Sequence, residues 1–265
     1  MFYRLRNKLR TVKTTEADDL IRDAANFPRY TPHNFRYKDL QLEVTDFISV
    51  AYQLKEYFDD QRMKFSSASA APLIIDCGAN VGVSVLYFKS LFPLAKILAF
   101  EPDPKVFSCL QKNLRTNNCT DVTLEPKAVW TNDLGISFGS EGADGGSVFF
   151  PGNKNTVPSV SLRDILEKEK AVTLLKMDIE GAEVSVIADC NEALKKVKYL
   201  FVEYHSWISN PQELDILLST MKRNGFRYYI HSIGHQANQP FTGIRQTNGM
   251  DIQLDIYAVN EQFTN

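Results

Sequence analysis

Short apolar runs alternate with amphipathic segments along most of the chain after residue 72. Such runs are typical of buried parallel strands, and the segments between them have the apolar spacing of helices. The alternation predicts strands at 73–76, 96–101, 121–125, 172–178 and 199–204, and helices at 83–91, 103–115, from Ser161, and from Asn210 to Gly225. Two strand-like segments, 226–233 and 251–259, then follow without a helix between them, and such neighbours pair antiparallel. We expect an α/β fold with an open, mostly parallel sheet and an antiparallel C-terminal hairpin.

The pattern before residue 66 is different. Thr15, with Asp18 three residues later, resembles a capping box, and the apolar residues that follow share one helical face. Residues 34–44 alternate loosely and predict a small hairpin, and a second helix is predicted from Asp46.

A small, polar segment at residues 66–71 is typical of a linker. Residues 1–65 have too little apolar mass for a core of their own. We therefore predict an N-terminal cap region, residues 1–65, on a main domain, residues 72–265.

Composition and charge limit the ligands and the cellular compartment that we expect for this protein. The 265 residues are 44% hydrophobic, carry a formal net charge of −2 and contain no apolar run long enough to cross a membrane. This balance gives no basic surface that would favour nucleic acid. The four cysteines lack CxxC spacing, which favours free thiols in a reducing compartment, so we expect a cytoplasmic protein. For the basic start, residues 1–13, we favour a solvated terminus over weak contact with an acidic membrane surface.

A glycine turn follows the first strand of the main domain. Asp76 ends that strand, and Gly78 and Gly82 precede the next helix, so the backbone could approach a bound nucleotide closely. The dinucleotide fingerprint requires glycine at the first, third and sixth positions, but Asp76 and Val81 occupy the first and the sixth. This argues against NAD. Asp76 could instead attract the cationic end of S-adenosylmethionine, and Glu101, which ends the second strand, could accept hydrogen bonds from the ribose.

Four sequence blocks occur in this order along the chain: Ile75–Gly82, Ala99–Pro104, Leu175–Glu183 and Val202–His205. Together they resemble the FkbM family of S-adenosylmethionine-dependent methyltransferases over about residues 72–205. The resemblance implies the class I methyltransferase fold, a seven-stranded sheet whose last strand is antiparallel. It also implies O-methylation, often of sugars in polysaccharide or secondary-metabolite pathways. Carried onto this chain, it implies cofactor-binding roles for Asp76, Gly78, Asn80, Gly82 and Glu101.

Candidate catalytic residues follow the fourth and fifth strands: Asp178, Glu180 and His205. In open α/β sheets the ligand lies beyond the carboxyl ends of the strands. There Asp178 could face both the methionine end of the cofactor and the acceptor. His205 could act as general base because its unperturbed pKa is near neutrality, although a purely structural role stays open. Asp178, Glu180 and Glu203 could also hold Mg²⁺, an alternative that we disfavour.

The function predicted from the sequence is methyl transfer from S-adenosylmethionine to a hydroxyl of a sugar, glycan or related small molecule. A nicotinamide-dependent oxidoreductase is disfavoured by the glycine pattern, and a non-catalytic cofactor-binding protein is disfavoured by the intact blocks. We expect the acceptor pocket to be built by residues 1–65, by a loop whose rim is Asp144–Ser147, and by residues 205–250. The sequence indicates neither the acceptor nor the oligomeric state.

Overall fold

The structure is a computed structural model that describes residues 14–139, 146, 155–233, 239, 241–243 and 249–263. The basic start and, apart from Gly146, the predicted rim at Asp144–Ser147 lie outside the described residues. Among the residues described, none of the helices is both long and apolar enough to cross a membrane.

The described residues form seven α-helices and thirteen strands. The helices are α1 (Glu16–Ala24), α2 (Phe47–Leu54), α3 (Val83–Leu91), α4 (Pro104–Thr116), α5 (Leu162–Lys168), α6 (Glu183–Cys190) and α7 (Leu214–Arg223). The strands are β1 (His33–Tyr37), β2 (Leu40–Val44), β3 (Leu73–Cys77), β4 (Lys96–Phe100), β5 (Thr123–Glu125), β6 (Ala128–Trp130), β7 (Ile136–Phe138), β8 (Asn155–Val157), β9 (Ser159–Ser161), β10 (Val172–Met177), β11 (Val197–Trp207), β12 (Phe226–Ser232) and β13 (Met250–Asn260). A π-helical turn, Lys55–Asp59, continues α2.

Seven strands form the central sheet in the order β12-β13-β11-β10-β3-β4-β5. Strand β13 runs antiparallel to β11 and β12, and the remaining neighbours pair in parallel. The predicted fold class, a mostly parallel class I methyltransferase sheet with an antiparallel C-terminal hairpin, is confirmed. The strand order reverses beside β3, which has β4 on one side and β10 on the other.

Helices cover both faces of the sheet because alternate side chains of each strand point in opposite directions. Ile74 lies in a buried cluster with residues of α1 to α4, whereas Ile75 lies in a second cluster with residues of α5 to α7. The central strands β3, β10 and β11 are therefore mostly buried on both faces, as their continuous apolar runs indicate, whereas the edge strand β12 is largely exposed.

Most predicted ends of elements agree with the structure. The capping box at Thr15 is present, α3 spans 83–91 as predicted, and the Ser161 side chain accepts the Asp164 N–H. The predicted helix start at Asn210 is wrong, because α7 begins at Leu214. Strand β11 is three residues longer than expected at its end, since it pairs with β13 as far as Trp207, and a turn then uses Asn210.

The N-terminal region packs against the sheet domain instead of forming a separate core. Ala17, Tyr37 and Leu54 belong to the same buried cluster as Ile74 and Phe88. The predicted hairpin is present as β1 and β2, and the edge of β2 lies against α4. Residues 14–65 therefore complete one face of the sheet.

Candidate active site

A cavity of about 290 Å³ opens at the carboxyl ends of β3, β4 and β10 and beside Phe201 and Glu203 of β11. It lies where the strand order reverses, which is the position of the ligand crevice in open α/β sheets. Residues of α2, of its π-helical continuation and of β13 close the cavity on the β11 side.

The glycine turn after β3 forms one wall of the cavity. Gly78 has a φ of +81°, and a Cβ atom there would overlap the carbonyl oxygen of Asp178, so only glycine fits. The N–H groups of Gly78 and Ala79 both donate to the carbonyl of Phe100, at 3.1 and 2.9 Å, which fixes the turn to the end of β4.

Gly82, in contrast, does not line the cavity. It caps α3 with a φ of +98°, and a Cβ atom there would lie 2.8 Å from Leu110 Cδ1 of α4. Its glycine character serves the close approach of α3 and α4. The cofactor contact implied for Gly82 is therefore replaced by a packing role.

Glu101 lies on the β4 side of the cavity with its carboxylate held by the backbone. Its Oε2 accepts the N–H of Asn80 at 3.1 Å, and its Oε1 accepts the N–H of Asp103 at 2.9 Å. Burial raises the pKa of Glu101 to about 8. Asn80, in a left-handed conformation with φ 48°, also lines the cavity. Glu101, Asn80 and Gly78 thus converge as the sequence predicts.

Asp76 lies beneath this wall, fully buried and away from the cavity. Its Oδ1 is 3.2 Å from the ammonium of Lys176, and its Oδ2 accepts the hydroxyl of Ser84 at 2.5 Å. The parallel pairing of β3 and β10 sets Asp76 opposite Lys176. Its charge is therefore compensated inside the protein, and we no longer expect Asp76 to attract the cofactor directly.

Asp178 and Glu203 face the cavity on the β11 side. The pKa of Asp178 is raised to about 7 by burial and by the charge of Glu203, against the opposing effects of Lys176 and His205. For Glu203 burial acts in the same direction, but hydrogen bonds from His205 and Gln253 outweigh it and lower the pKa. Burial also raises the pKa of Glu180, which lines the cavity beside them.

His205 is buried and does not line the cavity. Its Nδ1 is 3.1 Å from Glu183 Oε1, and its Nε2 is 3.3 Å from Glu203 Oε1 and 3.6 Å from Glu180 Oε2. Burial alone would lower the pKa of His205, but Glu180, Glu183 and Glu203 raise it well above the ordinary value. His205 is therefore paired with carboxylates and makes no contact with the cavity, while its role as general base stays a prediction.

Glu183 anchors this arrangement. Its side chain is fully buried, and its Oε1 accepts the N–H groups of Ile179 and Gly181 at 3.1 and 3.0 Å. One carboxylate therefore fixes both the turn that carries Glu180 and the ring of His205.

Three acidic and histidine side chains of this site are relevant to the alternative of a bound metal ion. The ligand atoms of Asp178, Glu203 and His205 lie within 4.8 Å of one another, a grouping that could hold a metal ion. This grouping contains His205 instead of the Glu180 that we predict from the sequence.

Comparison with known proteins supplies the family. Residues 76–228, more than half of the chain, match the family described as the methyltransferase FkbM domain. The chain belongs to the FkbM methyltransferase family. It is therefore a methyltransferase enzyme, and the resemblance found in the sequence blocks is confirmed.

Three curated relatives are similar in sequence to more than half of this FkbM protein. Methyltransferase 1 of Beauveria bassiana is 28% identical over 166 residues, which cover 53% of this chain and 67% of that protein. The 2-O-methyltransferase NoeI of Sinorhizobium fredii is 26% identical over 190 residues, 59% of this chain and 77% of that protein. The hexuronic acid methyltransferase AglP of Haloferax volcanii is 24% identical over 176 residues, 61% of this chain and 67% of that protein.

Among solved structures, the FkbM methyltransferase of Methylobacillus flagellatus aligns with a TM-score of 0.49 at 22% identity and covers 77% of this chain. The chain spans about half of that protein's length, 48%. The fold of this family member is assigned from its own sheet order.

Several cavity residues of this FkbM enzyme escape sequence reasoning. Lys176 lies inside an apolar run, and its role depends on the pairing of strands that are distant in sequence. Arg62 and Asp255 meet at 3.7 Å although nearly two hundred residues separate them. A signal exists only for α2 and its continuation, where the cavity-lining residues recur at helical spacing: Ser49, Tyr52, Gln53, Glu56 and Tyr57.

Proposed function

We propose that this FkbM-family enzyme transfers a methyl group from S-adenosylmethionine to a hydroxyl oxygen of a sugar or related small molecule in the cytoplasm. The observation that carries the proposal is a single cavity that joins the turn at Gly78 and Glu101 to the acidic ends of β10 and β11. The relatives named as a 2-O-methyltransferase and a hexuronic acid methyltransferase support an oxygen nucleophile and a sugar. The four unpaired cysteines support a reducing compartment.

The residues of the β4 side fit this cofactor. A carboxylate offers about four acceptor positions, and Glu101 uses two of them for backbone N–H groups, which leaves acceptors for ribose hydroxyls. The glycine turn from Gly78 to Asn80 would lie against the methionine end. When bound, S-adenosylmethionine supplies a methyl group on a strongly electrophilic sulfonium.

The residues of the β11 side would orient the acceptor and take its proton. Asp178 is partly open to the cavity, and a base whose pKa is near the working pH is the most effective one. The Asp178 carboxylate would accept the hydroxyl proton of an acceptor to which bound S-adenosylmethionine would supply its methyl group, leaving S-adenosylhomocysteine. Lys176, 3.5 Å from Asp178 Oδ2, keeps that carboxylate in place.

The test begins with calorimetry of the purified full chain with S-adenosylhomocysteine and, separately, with NAD. We expect S-adenosylhomocysteine to bind and NAD to show no heat. Methyl-labelled S-adenosylmethionine is then incubated with a panel of saccharides, and transfer of label is measured. Binding of NAD alone, or binding of neither compound, would contradict the proposal.

A further inference from the structure

A buried tyrosine of the N-terminal region lines the cavity. Tyr57 lies on the π-helical continuation of α2, and short π-helical turns often occur at functional sites. Only 7% of the Tyr57 surface is exposed, and its ring packs edge-on against the rings of Tyr87 and Phe88 of α3, with centroids 5.5 and 6.2 Å apart. These contacts hold the ring of Tyr57 in one place at the cavity wall.

The hydroxyl of Tyr57 is an unused hydrogen-bond donor. None of the residues that the structure describes bonds to it, and it is not enclosed by protein atoms, in contrast to the hydroxyl of Tyr87. Since Tyr57 lines the cavity, its hydroxyl opens there. Burial raises the pKa of Tyr57, so the hydroxyl stays protonated and can donate. A ligand in the cavity would therefore supply the partner that the protein does not.

The cation beside Tyr57 already has its own partners. The charge of Lys176 opposes the rise of the Tyr57 pKa, so the two groups are neighbours. Lys176 Nζ donates to the Gly78 carbonyl at 2.5 Å and lies 3.2 Å from Asp76 Oδ1 and 3.5 Å from Asp178 Oδ2. An ammonium group has three N–H donors, so these three acceptors occupy it. Tyr57 thus offers a hydrogen bond beside Gly78 that Lys176 does not.

This end of the cavity suits a carboxylate. Ser84 lies in the first turn of α3 and lines the cavity, and no side chain caps that helix. The partial positive charge of a helix N-terminus stabilises an anion. The methionine end of S-adenosylmethionine carries a carboxylate, and we place that end against the glycine turn that precedes α3. Tyr57 packs on the second turn of the same helix.

We propose that the Tyr57 hydroxyl donates a hydrogen bond to the methionine carboxylate of S-adenosylmethionine. The inference rests on the proposed function and adds a cofactor-binding residue that lies outside residues 76–228, the part of the chain that matches the family. The acceptor substrate is a different partner for the same hydroxyl, and the experiment separates the two.

The experiment compares two ligands that differ only in the carboxylate. They are S-adenosylhomocysteine and its decarboxylated analogue, S-adenosyl-3-thiopropylamine, and calorimetry with the purified full chain measures the dissociation constant of each. We expect the unaltered enzyme to bind S-adenosylhomocysteine about tenfold or more tightly than the analogue, because a hydrogen bond to a charged group is stronger than one between neutral groups.

Two variants locate the contact. Tyr57→Phe keeps the ring and its packing but removes the hydroxyl. It should bind S-adenosylhomocysteine about tenfold or more weakly than the unaltered enzyme and keep its affinity for the decarboxylated analogue within about twofold. The matched control is Tyr87→Phe, which removes an enclosed hydroxyl from the neighbouring ring outside the cavity. Both affinities should be unchanged in this control.

Unchanged binding of S-adenosylhomocysteine by Tyr57→Phe would overturn the inference and would indicate the acceptor as the partner of the hydroxyl. Equal losses for both ligands would also overturn it, because the contact would then involve the amine or the nucleoside. The same loss in Tyr87→Phe would attribute the effect to packing and reject the contact. In each case S-adenosylhomocysteine still binds the unaltered enzyme, whereas absence of that binding is the failure of the proposed function.

Discussion

Several interactions act on the carboxyl group of Asp178. Burial and the neighbouring Glu203 favour its protonated form, while Lys176 and His205 favour its ionised form, and the pKa reaches about 7. The second carboxylate of the pair is Glu203. Hydrogen bonds from His205 and Gln253 lower its pKa, so it stays ionised. Two neighbouring carboxyl groups whose pKa values move apart are suited to different tasks. We propose proton transfer for Asp178 and charge stabilisation for Glu203.

Replacing Asp178 tests this assignment. Asp178→Asn should lower kcat by about 10²–10⁴-fold, the usual contribution of a positioned base, with little change in affinity for S-adenosylhomocysteine. In the unaltered enzyme, kcat/KM should rise with pH through about 7, where half of the Asp178 carboxyl groups are ionised, and level about one pH unit higher, because only the ionised carboxylate accepts the proton. The variant should lose this rise. A pH–rate profile with the same rise in Asp178→Asn would assign the base elsewhere.

Glu101 can be tested with an isosteric change. Glu101→Gln keeps the size of the side chain but removes its charge, so hydrogen bonds from the ribose to a carboxylate are lost. We expect the dissociation constant of S-adenosylhomocysteine to rise roughly 10- to 100-fold, measured by calorimetry. Glu125→Gln, at the end of the neighbouring strand β5 and outside the cavity, is the control. Equal affinity in both variants would remove Glu101 from the ribose site.

Between elements, α4 holds the edge of β2 through a side-chain amide. Asn113 is buried, and its amide accepts the N–H of Glu43 at 2.8 Å and donates to the carbonyls of Glu43 at 2.8 Å and Val81 at 2.9 Å. One residue therefore joins the N-terminal hairpin, α4 and the turn that leads into α3.

Asn113→Ala should destabilise the protein by about 2–4 kcal/mol, because it leaves one buried N–H and two carbonyls without their partner. The measurement is urea unfolding. The same change at Asn117, which makes a similar but exposed pair with Gln41, should cost about 1 kcal/mol or less. Similar losses of unfolding free energy in the two variants would show that burial does not make the hydrogen bonds of Asn113 more stabilising than those of Asn117.

The elements of the main domain could be predicted because their apolar spacing and capping residues act locally. The contacts between side chains that are distant in sequence could not be predicted. Asp76 stands at a strand end in the sequence, but its neutralisation by Lys176 depends on the register between β3 and β10. His205 has a near-neutral pKa only in water, and the carboxylates around it come from the turn that leads into α6, from the first residue of α6 and from β11 itself. The spacing of Gly82 suggested ligand contact, whereas the structure uses it for packing on α4.

At the scale of the whole molecule, the N-terminal region has two roles because its buried residues share one core with the central sheet. Its buried residues complete one face of the sheet, and the polar stripe of α2 closes the cavity. We propose that residues 14–65 act as a fixed wall of the acceptor site and not as an independent domain. The same region places Glu56 in a cavity that already contains several acidic side chains. The ionisation of these side chains makes the stability of the whole chain depend on pH.

Five carboxyl groups that line the cavity have raised pKa values in the folded protein. Burial raises the pKa of Glu180 well above its ordinary value. The other four pKa values are about 7 for Asp178 and Glu56 and about 8 for Glu101 and Asp255, with burial as the largest cause in each. In the unfolded chain such groups titrate near pH 4. Between roughly pH 5 and 8 the folded protein therefore binds more protons than the unfolded chain, and its stability must fall as the pH rises.

His205 acts in the same direction above pH 6.5, because its folded-state pKa is raised and its proton is lost first from the unfolded chain. The acids with lowered pKa values titrate below this window and do not oppose the trend: Asp18, Asp59, Asp121 and Glu203. We expect the free energy of unfolding of the ligand-free protein, measured with urea, to decrease steadily from pH 5 to pH 8. Glu56→Gln/Asp255→Asn should have a shallower slope, since two of the proton-binding groups are removed. Stability that increases over this range would mean that the cavity carboxylates are already compensated.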